Sequence, residues 1–296
     1  MYLAPREVIT AALAPNGPIT VAASTTFNLP IEHWSASSFS LFQRCPRAWQ
    51  QRYVQKRRER PGEALLVGST LHKVVEANFK RKMESHADLP LTTLLEFFST
   101  AFPVVVEEEE KRAKVETAWD TSPEDANERG RGLLAAYMNQ VAPRIQPIAV
   151  EQMLSVEIGL AVPITGRLDI ETEKVVIDLK SGKTARRKPK EDWLIQALIY
   201  STATGKPVEF HSVTASMKRG DVTIVTPLES EDLLIWLSPA QREAQLHNLR
   251  ELSDYACHLM DKHGPDEPWP TLGRFHGWAC DPRYCSYRGD CPAWRE

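Results

Sequence analysis

The chain has 296 residues, of which 42% are hydrophobic and 25% charged, and its formal net charge is −3. This composition is ordinary for a soluble globular protein with a sizeable core, in one large domain or two small ones. It excludes the overall basic character of many nucleic-acid binders. The sequence contains neither an apolar run of about 18 residues, which a membrane span needs, nor a secretory signal, so we expect an intracellular, cytoplasmic protein.

The first half of the chain is predicted to be mainly helical. Residues 1–34 show no clear periodicity and are interpreted as an extended lead-in. A helix capped by Ser37 or Ser38 follows, with Pro46 bending or restarting it, and a second helix is capped by Ser69 or Thr70. The helical pattern from 91 to about 141 breaks near 121–123.

The second half combines strands and helices. We predict a strand over 150–158, a hairpin of 165–171 with 174–179, a helix over 193–204 that ends at Gly205, a strand pair of 208–217 with 221–226 that turns at Arg219–Gly220, and an amphipathic helix over 229–262. This order predicts an α/β or α+β fold around a small mixed sheet.

The segment Val175–Thr184 carries two signatures. Gly182, Lys183 and Thr184 resemble the end of a phosphate-binding loop, but that loop requires a glycine where Ile177 stands, so an ATPase site is excluded. Asp178 and Lys180 instead share one face of the predicted strand, while Ile177 and Leu179 point to the other.

A turn at Thr172–Glu173 would pair Asp169 with Val176 and place it diagonally from Asp178, roughly 7 to 8 Å away. Two carboxylates and an ammonium group would then share one face, and a turn displaced by one residue is expected to turn Asp169 away. Carboxylates can hold Mg²⁺, which neutralises phosphate charge and activates water, and a nearby lysine can position that water. The alternative is a surface ion pair at a strand end.

Three further polar residues bear on this site. His72 lies at the border of an apolar helix face, where it is either a ligand or a boundary residue of the core. Gln196 and Tyr200 stand one helical turn apart on the helix after the hairpin, and they either face the phosphate or pack as ordinary helix residues.

The motifs, taken in order, resemble those of RecB-type PD-(D/E)XK nucleases. They are Leu71-His72, Gly166-Arg167-Leu168-Asp169, Val176-Ile177-Asp178-Leu179-Lys180-Ser181-Gly182 and Gln196-Ala197-Leu198-Ile199-Tyr200. The run "SASSFSLFQRCPRAW" and the three C-terminal cysteines resemble the iron-sulfur subgroup, which includes AddB-type nuclease domains and the CRISPR adaptation nuclease. The resemblance implies a restriction-endonuclease-like core in a single nuclease domain, 35–296, with a helical insertion at about 85–145.

The resemblance also implies roles for individual residues. His72, Asp169, Asp178 and the Leu179 carbonyl would bind Mg²⁺ or Mn²⁺, and Lys180 would be the catalytic lysine. Gln196 and Tyr200 would organise the site and contact the substrate backbone. Glu151 occupies roughly the place of a motif glutamate, and Glu157 competes for it.

Three of the five cysteines crowd the irregular C-terminal tail, 278–296. They are Cys280, Cys285 and Cys291, in a C-x4-C-x5-C array. By the resemblance, Cys45 would join them around a 4Fe-4S cluster that ties the first helix to the tail. The first spacing is four residues where two are usual, and a zinc site on the same cysteines is the alternative. Cys257 is predicted to be a core residue.

Basic residues are concentrated at 44–60 and 180–190. Trp49 and Tyr53 lie among the first set, and cations near stacking aromatics suit single-stranded nucleic acid or a duplex end. The predicted DNA contacts are Arg52, Lys183, Arg186, Arg187 and Lys188. We expect an exonuclease, free-standing or part of a recombination, repair or CRISPR adaptation complex. The alternatives are a non-catalytic nucleic-acid-binding scaffold and a structure-specific endonuclease.

Overall fold

The computed structural model describes residues 27–182, 188–218, 221–225, 234–271, 279–281 and 285–294. The helices are α1 Ala36–Arg44, α2 Pro46–Trp49, α3 Glu63–Ser85, α4 Leu91–Ala113, α5 Pro123–Gln140, α6 Glu191–Thr204 and α7 Pro239–His263. The strands are β1 Ala149–Val156, β2 Ile164–Glu171, β3 Val176–Gly182, β4 Val208–Lys218, β5 Asp221–Val225 and β6 Leu234–Ile235. No helix in these described ranges is long and apolar enough to span a membrane.

One mixed sheet forms the centre of the fold. Its strand order is β1-β2-β3-β4-β5, and β6 pairs with β4. Strands β3 and β4 are parallel and are connected through α6, whereas the other pairs are antiparallel. This architecture confirms the predicted α/β fold with a small mixed sheet flanked by helices, which is the restriction-endonuclease-like core.

Two hydrophobic cores cover the two faces of the sheet. The α3 core contains buried residues of α3, α4 and α5, and the α6 core contains those of α1, α6 and α7. Strand β3 contributes Ile177 and Leu179 to the α3 core and Val176 to the α6 core, as the alternation of a strand requires. The side chain of Asp178 therefore points to the α6 side. Helices α4 and α5 occupy the region predicted as a helical insertion.

Helix α3 begins earlier than predicted. Its N-cap is Gly62, not Ser69 or Thr70, and the Thr70 hydroxyl instead donates to the Leu66 carbonyl inside the helix. The buried carboxylate of Glu63 pairs with Arg129 of α5 and accepts hydrogen bonds from the loop ahead of α5. These long-range contacts stabilise about two added turns that the local sequence does not specify.

Two other boundaries also differ from the predictions. Helix α1 is capped by Ser35, one helical turn before Ser38. Helix α7 begins at Pro239, after a capping box of Ser238 with Gln241, and not at 229. The segment Leu234–Ile235 pairs with β4 instead, so the predicted long helix is wrong at its start. The predicted turn at Arg219–Gly220 lies outside the described residues.

The first helices are joined to the segment after α7 through the buried side chain of Gln50. Its amide nitrogen donates to the carbonyls of Pro265 and Glu267, at 2.9 and 2.8 Å. Its amide oxygen accepts from the Trp269 backbone at 3.0 Å and from the Arg47 guanidinium at 2.5 Å. These bonds connect distant parts of the chain close to the cysteine-rich tail.

Candidate active site

The β2–β3 hairpin brings two aspartates face to face. Ile170 pairs with Ile177 and Glu171 with Val176, so the predicted pairing of Asp169 with Val176 is wrong by two residues. The reason is the turn, which lies at 173–174, one residue later than predicted, because the Thr172 N–H donates to the Val175 carbonyl and the Thr172 hydroxyl accepts from the Val175 N–H at 3.0 Å. Displacing the turn by one residue shifts the register by two. A two-residue shift keeps each side chain on its face, and the observed register, continued by one pair, sets Asp169 opposite Asp178.

Asp169 is fixed by backbone as well as side-chain contacts. Its Oδ2 accepts a hydrogen bond from the Leu179 N–H at 2.7 Å. Its Oδ1 lies 3.4 Å from Nδ1 of His72, which α3 places over this part of the sheet. These two contacts hold the carboxylate between α3 and β3. A metal contact by the Leu179 carbonyl stays a prediction.

Glu151 lies opposite Asp169 on β1, between the pairs Val150–Ile170 and Gln152–Leu168. Its φ of 53° is in the left-handed region, which costs a non-glycine residue about 1–3 kcal/mol and recurs at functional sites. Ile170 lies in the α3 core and Leu168 in the α6 core, although both are even-numbered residues of one strand. The strand pair therefore changes the face it presents at Glu151 and Asp169.

Three side chains are close enough to share a cation. One ligand atom each of His72, Glu151 and Asp169 lies within 4.8 Å of the other two. Ligands at 2.0–2.1 Å from one Mg²⁺ lie at most about 4.2 Å apart, so a small adjustment closes this set around the ion. Glu157, the competing glutamate, is exposed beyond the end of β1.

Asp178 lies outside this set and beside Lys180. The Lys180 ammonium is 2.6 Å from Asp178 Oδ2. Asp178 is 1% exposed, and its Oδ1 accepts no hydrogen bond from the described residues. A buried carboxylate oxygen without a donor is costly, and a cation is a fitting partner for it. The carboxylate and imidazole donors together fit a divalent metal ion.

A chain of hydrogen bonds positions Lys180. Its ammonium donates to Gln196 Oε1 at 2.8 Å, and Gln196 Nε2 donates to the Tyr200 hydroxyl at 2.7 Å. That hydroxyl donates to the Arg167 carbonyl at 2.5 Å, so the series of hydrogen bonds ends on the backbone of β2. A Cβ at Gly166 would lie 3.1 Å from the Tyr200 ring, so the absence of a side chain at this position leaves room for the ring.

The buried charges shift one another's pKa values. Burial lowers the pKa of His72, but the attraction of Asp169, helped by Asp178, outweighs it and raises the pKa to about 9. Burial and then repulsion by Asp169 raise the pKa of Asp178 to about 7. The same two causes raise the pKa of Glu151, whereas His72 holds the pKa of Asp169 below its ordinary value despite burial. The clustered carboxylates thus favour a positive charge beside them, whether a proton on His72 or a metal ion.

The four cysteines predicted to act together line one cavity. Its volume is about 450 Å³, counting space open to solvent, and its lining includes Cys45, Cys280, Cys285 and Cys291. Burial, followed by the neighbouring cysteines, raises the pKa of Cys285. Cys257 is buried in the α6 core, as predicted.

The predicted DNA contacts are only partly within the described residues. Lys188 is exposed directly after the segment that follows β3, whereas Lys183, Arg186 and Arg187 lie outside the description. Arg52 is 3.7 Å from Glu59 and lies over the Tyr53 ring. Trp49 is fully buried and stacks on Trp34, so its ring is not available to stack on a base.

One contact of the site was missed by the sequence interpretation. The Arg167 guanidinium is 2.7 Å from Glu151 Oε2. The position of Arg167 near Asp169 in the Gly-Arg-Leu-Asp motif was the available signal, but no feature of the sequence predicts that Arg167 contacts Glu151 of β1.

Comparison with known proteins places this geometry in a family. A crystal structure of SSO0001 is similar at 17% identity over 76% of this chain and 98% of that chain, with a TM-score of 0.34. No curated protein matches the chain significantly. The family model of the PD-(D/E)XK nuclease superfamily matches residues 33–292. Nearly the whole chain is covered by this match, and the protein therefore belongs to the PD-(D/E)XK nuclease superfamily.

Proposed function

We propose that the protein is a metal-dependent exonuclease that hydrolyses DNA from single-stranded or duplex ends. The observation that carries the proposal is the convergence of His72, Glu151 and Asp169 within 4.8 Å, beside the Lys180–Asp178 pair. Membership of the nuclease superfamily supports metal-dependent phosphodiester hydrolysis.

The residues of the candidate site have different roles in the proposed hydrolysis. Mg²⁺ or Mn²⁺ held by His72, Glu151 and Asp169, with Asp178 beside them, would neutralise phosphate charge and activate water. The Lys180 ammonium, fixed between Asp178 and Gln196, is placed to orient the attacking water and to stabilise charge that develops on the phosphate. Tyr200 supports this position through Gln196.

An exposed lysine and the family resemblance support DNA as the substrate. Lys188 follows the catalytic strand closely, where a cation can contact a backbone phosphate. Resemblance to AddB-type nuclease domains and to the CRISPR adaptation nuclease supports DNA ends as the point of attack and a recombination, repair or adaptation complex as the setting.

Linear and covalently closed circular single-stranded DNA test this proposal, each incubated with Mg²⁺ or Mn²⁺ and with EDTA as the control. We expect loss of the linear substrate only, and only with metal. Cleavage of the circle would show an endonuclease, and DNA binding without cleavage under either metal would show a non-catalytic scaffold.

We also infer that Cys45, Cys280, Cys285 and Cys291 hold a 4Fe-4S cluster. Their shared cavity supports four-thiolate ligation. A tetrahedral zinc ion, 2.3 Å from each sulfur, would hold the sulfurs about 3.8 Å apart. Both alternatives use the same four thiolates, so the metal content of the protein distinguishes them.

Metal analysis of anaerobically purified protein tests this inference. We expect about four iron atoms per chain, as a 4Fe-4S cluster requires, with loss of iron in Cys285→Ala and retention in Cys257→Ala, which removes a buried thiol outside the set. One zinc and no iron per chain would identify the zinc alternative.

A further inference from the structure

Arg167 reaches from the protein surface to a buried carboxylate of the candidate metal site. Its side chain is 63% exposed, whereas that of Glu151 is 7% exposed, and the two are 2.7 Å apart at Nε and Oε2. The guanidinium therefore lies between the carboxylate cluster and solvent. The guanidinium supplies one positive charge to a carboxylate cluster that is suited to bind a divalent cation.

We propose that Arg167 neutralises Glu151 until a divalent cation binds, and that it then contacts a phosphate of the DNA backbone. This inference rests on the proposed function. It makes Arg167 a substrate-binding residue whose availability depends on occupancy of the metal site.

Competition between the two cations follows from their distances. A divalent ion about 2.1 Å from the Glu151 carboxylate would lie close to a guanidinium 2.7 Å from the same group, and like charges at such separations repel strongly. Arg167 can move away at little cost because most of its side chain is in solvent. Glu151 cannot follow, since it lies within a paired strand.

The backbone of Arg167 keeps the released guanidinium near the reacting phosphate. Its carbonyl accepts the 2.5 Å hydrogen bond from Tyr200, which also binds the glutamine that holds Lys180. The side chain thus starts from a fixed point beside the catalytic lysine. A guanidinium presents a planar fork of donors that matches two oxygens of a phosphate.

The first test measures Mn²⁺ binding by calorimetry without DNA, for the wild type, Arg167→Gln and the control Arg81→Gln. Arg81 is a similarly exposed arginine, 58% against 63%, and is paired with Glu84 on α3. Removal of the competing cation should tighten Mn²⁺ binding about two- to fivefold in Arg167→Gln, the range of an exposed ion pair. Arg81→Gln should match the wild type.

The second test measures binding of linear single-stranded DNA against salt concentration, with Ca²⁺ as the metal. The slope of log affinity against log salt should fall by about 0.7 in Arg167→Gln, the loss of one phosphate contact, and stay unchanged in Arg81→Gln. Weaker or unchanged Mn²⁺ binding, or an unchanged slope, would overturn the role of Arg167 alone. Wild-type Mn²⁺ affinity in Asp169→Asn would instead overturn the metal site on which the proposed function rests.

Discussion

Replacing Tyr200 with phenylalanine removes one buried hydroxyl and keeps the ring. The hydroxyl donates to the Arg167 carbonyl at 2.5 Å and accepts from Gln196 at 2.7 Å. Each such hydrogen bond contributes about 1 kcal/mol net, and a partner left unpaired in the interior costs about 1–3 kcal/mol. Gln196 is only half-buried and can recruit water, so we expect the free energy of unfolding to fall by about 2 kcal/mol.

Urea denaturation measures this loss, with Tyr255→Phe as the control because Tyr255 is 44% exposed. The midpoint should fall with an unchanged slope in Tyr200→Phe, and the control should stay within about 0.5 kcal/mol of the wild type. A loss below about 0.5 kcal/mol in Tyr200→Phe would refute the hydrogen-bond chain that holds Lys180.

Three further changes probe other parts of the account. Because the pKa of His72 is raised to about 9, a metal ion must displace the His72 proton when it binds. The apparent Mn²⁺ affinity should therefore rise from pH 7 towards pH 9, and calorimetry in two buffers should detect the released proton. If no proton is released, His72 is not a ligand. Gln50→Ala leaves several buried partners unpaired, and urea titration should show a loss of about 3 kcal/mol or more; near-wild-type stability would contradict its role in joining Trp269 to the first helices. Gly166→Ala places a methyl group against the Tyr200 ring, so it should lower cleavage while metal binding persists. Cleavage by Gly166→Ala at the wild-type rate would contradict the fixed position of the Tyr200 ring.

Local sequence patterns were sufficient to predict features that depend on a single helix or strand. The alternation of β3, with Ile177 and Leu179 on one side, follows from a period of two residues, and the left-handed Gly205 ends α6 as expected. The neighbourhood of Lys180, Gln196 and Tyr200 was predicted through the resemblance, because the motif order reflects a shared arrangement of elements.

Contacts between distant segments determined the rest. Glu63 extends α3 because Arg129 and Thr121, more than fifty residues away, bind its carboxylate. The hairpin register is a local exception, since it follows from the pairing of Thr172 with Val175 through the backbone and the Thr172 hydroxyl. The left-handed turn at Glu151 and its pairing with β2 leave no periodic mark in the sequence.

The candidate site combines both kinds of information. Asp169 kept its face only because the register error was two residues rather than one. The structure brings Glu151, the tentative motif glutamate, close to His72 and Asp169, and it leaves Asp178 beside Lys180. Trp49 lies among arginines in the sequence, but in the structure it is a core residue enclosed by other aromatic rings.

The most direct test of the account compares cleavage of end-labelled linear DNA, with Mg²⁺, by the wild type, Lys180→Ala and Lys206→Ala. Lys206 is a matched control: it is 2.6 Å from Glu171, as Lys180 is from Asp178, and its side chain is 19% exposed against 24%. We predict that cleavage is lost in Lys180→Ala and retained in Lys206→Ala, and that EDTA abolishes cleavage by the wild type and by Lys206→Ala. Equal cleavage by the two variants, or cleavage that persists in EDTA, would contradict a metal-dependent nuclease centred on Lys180.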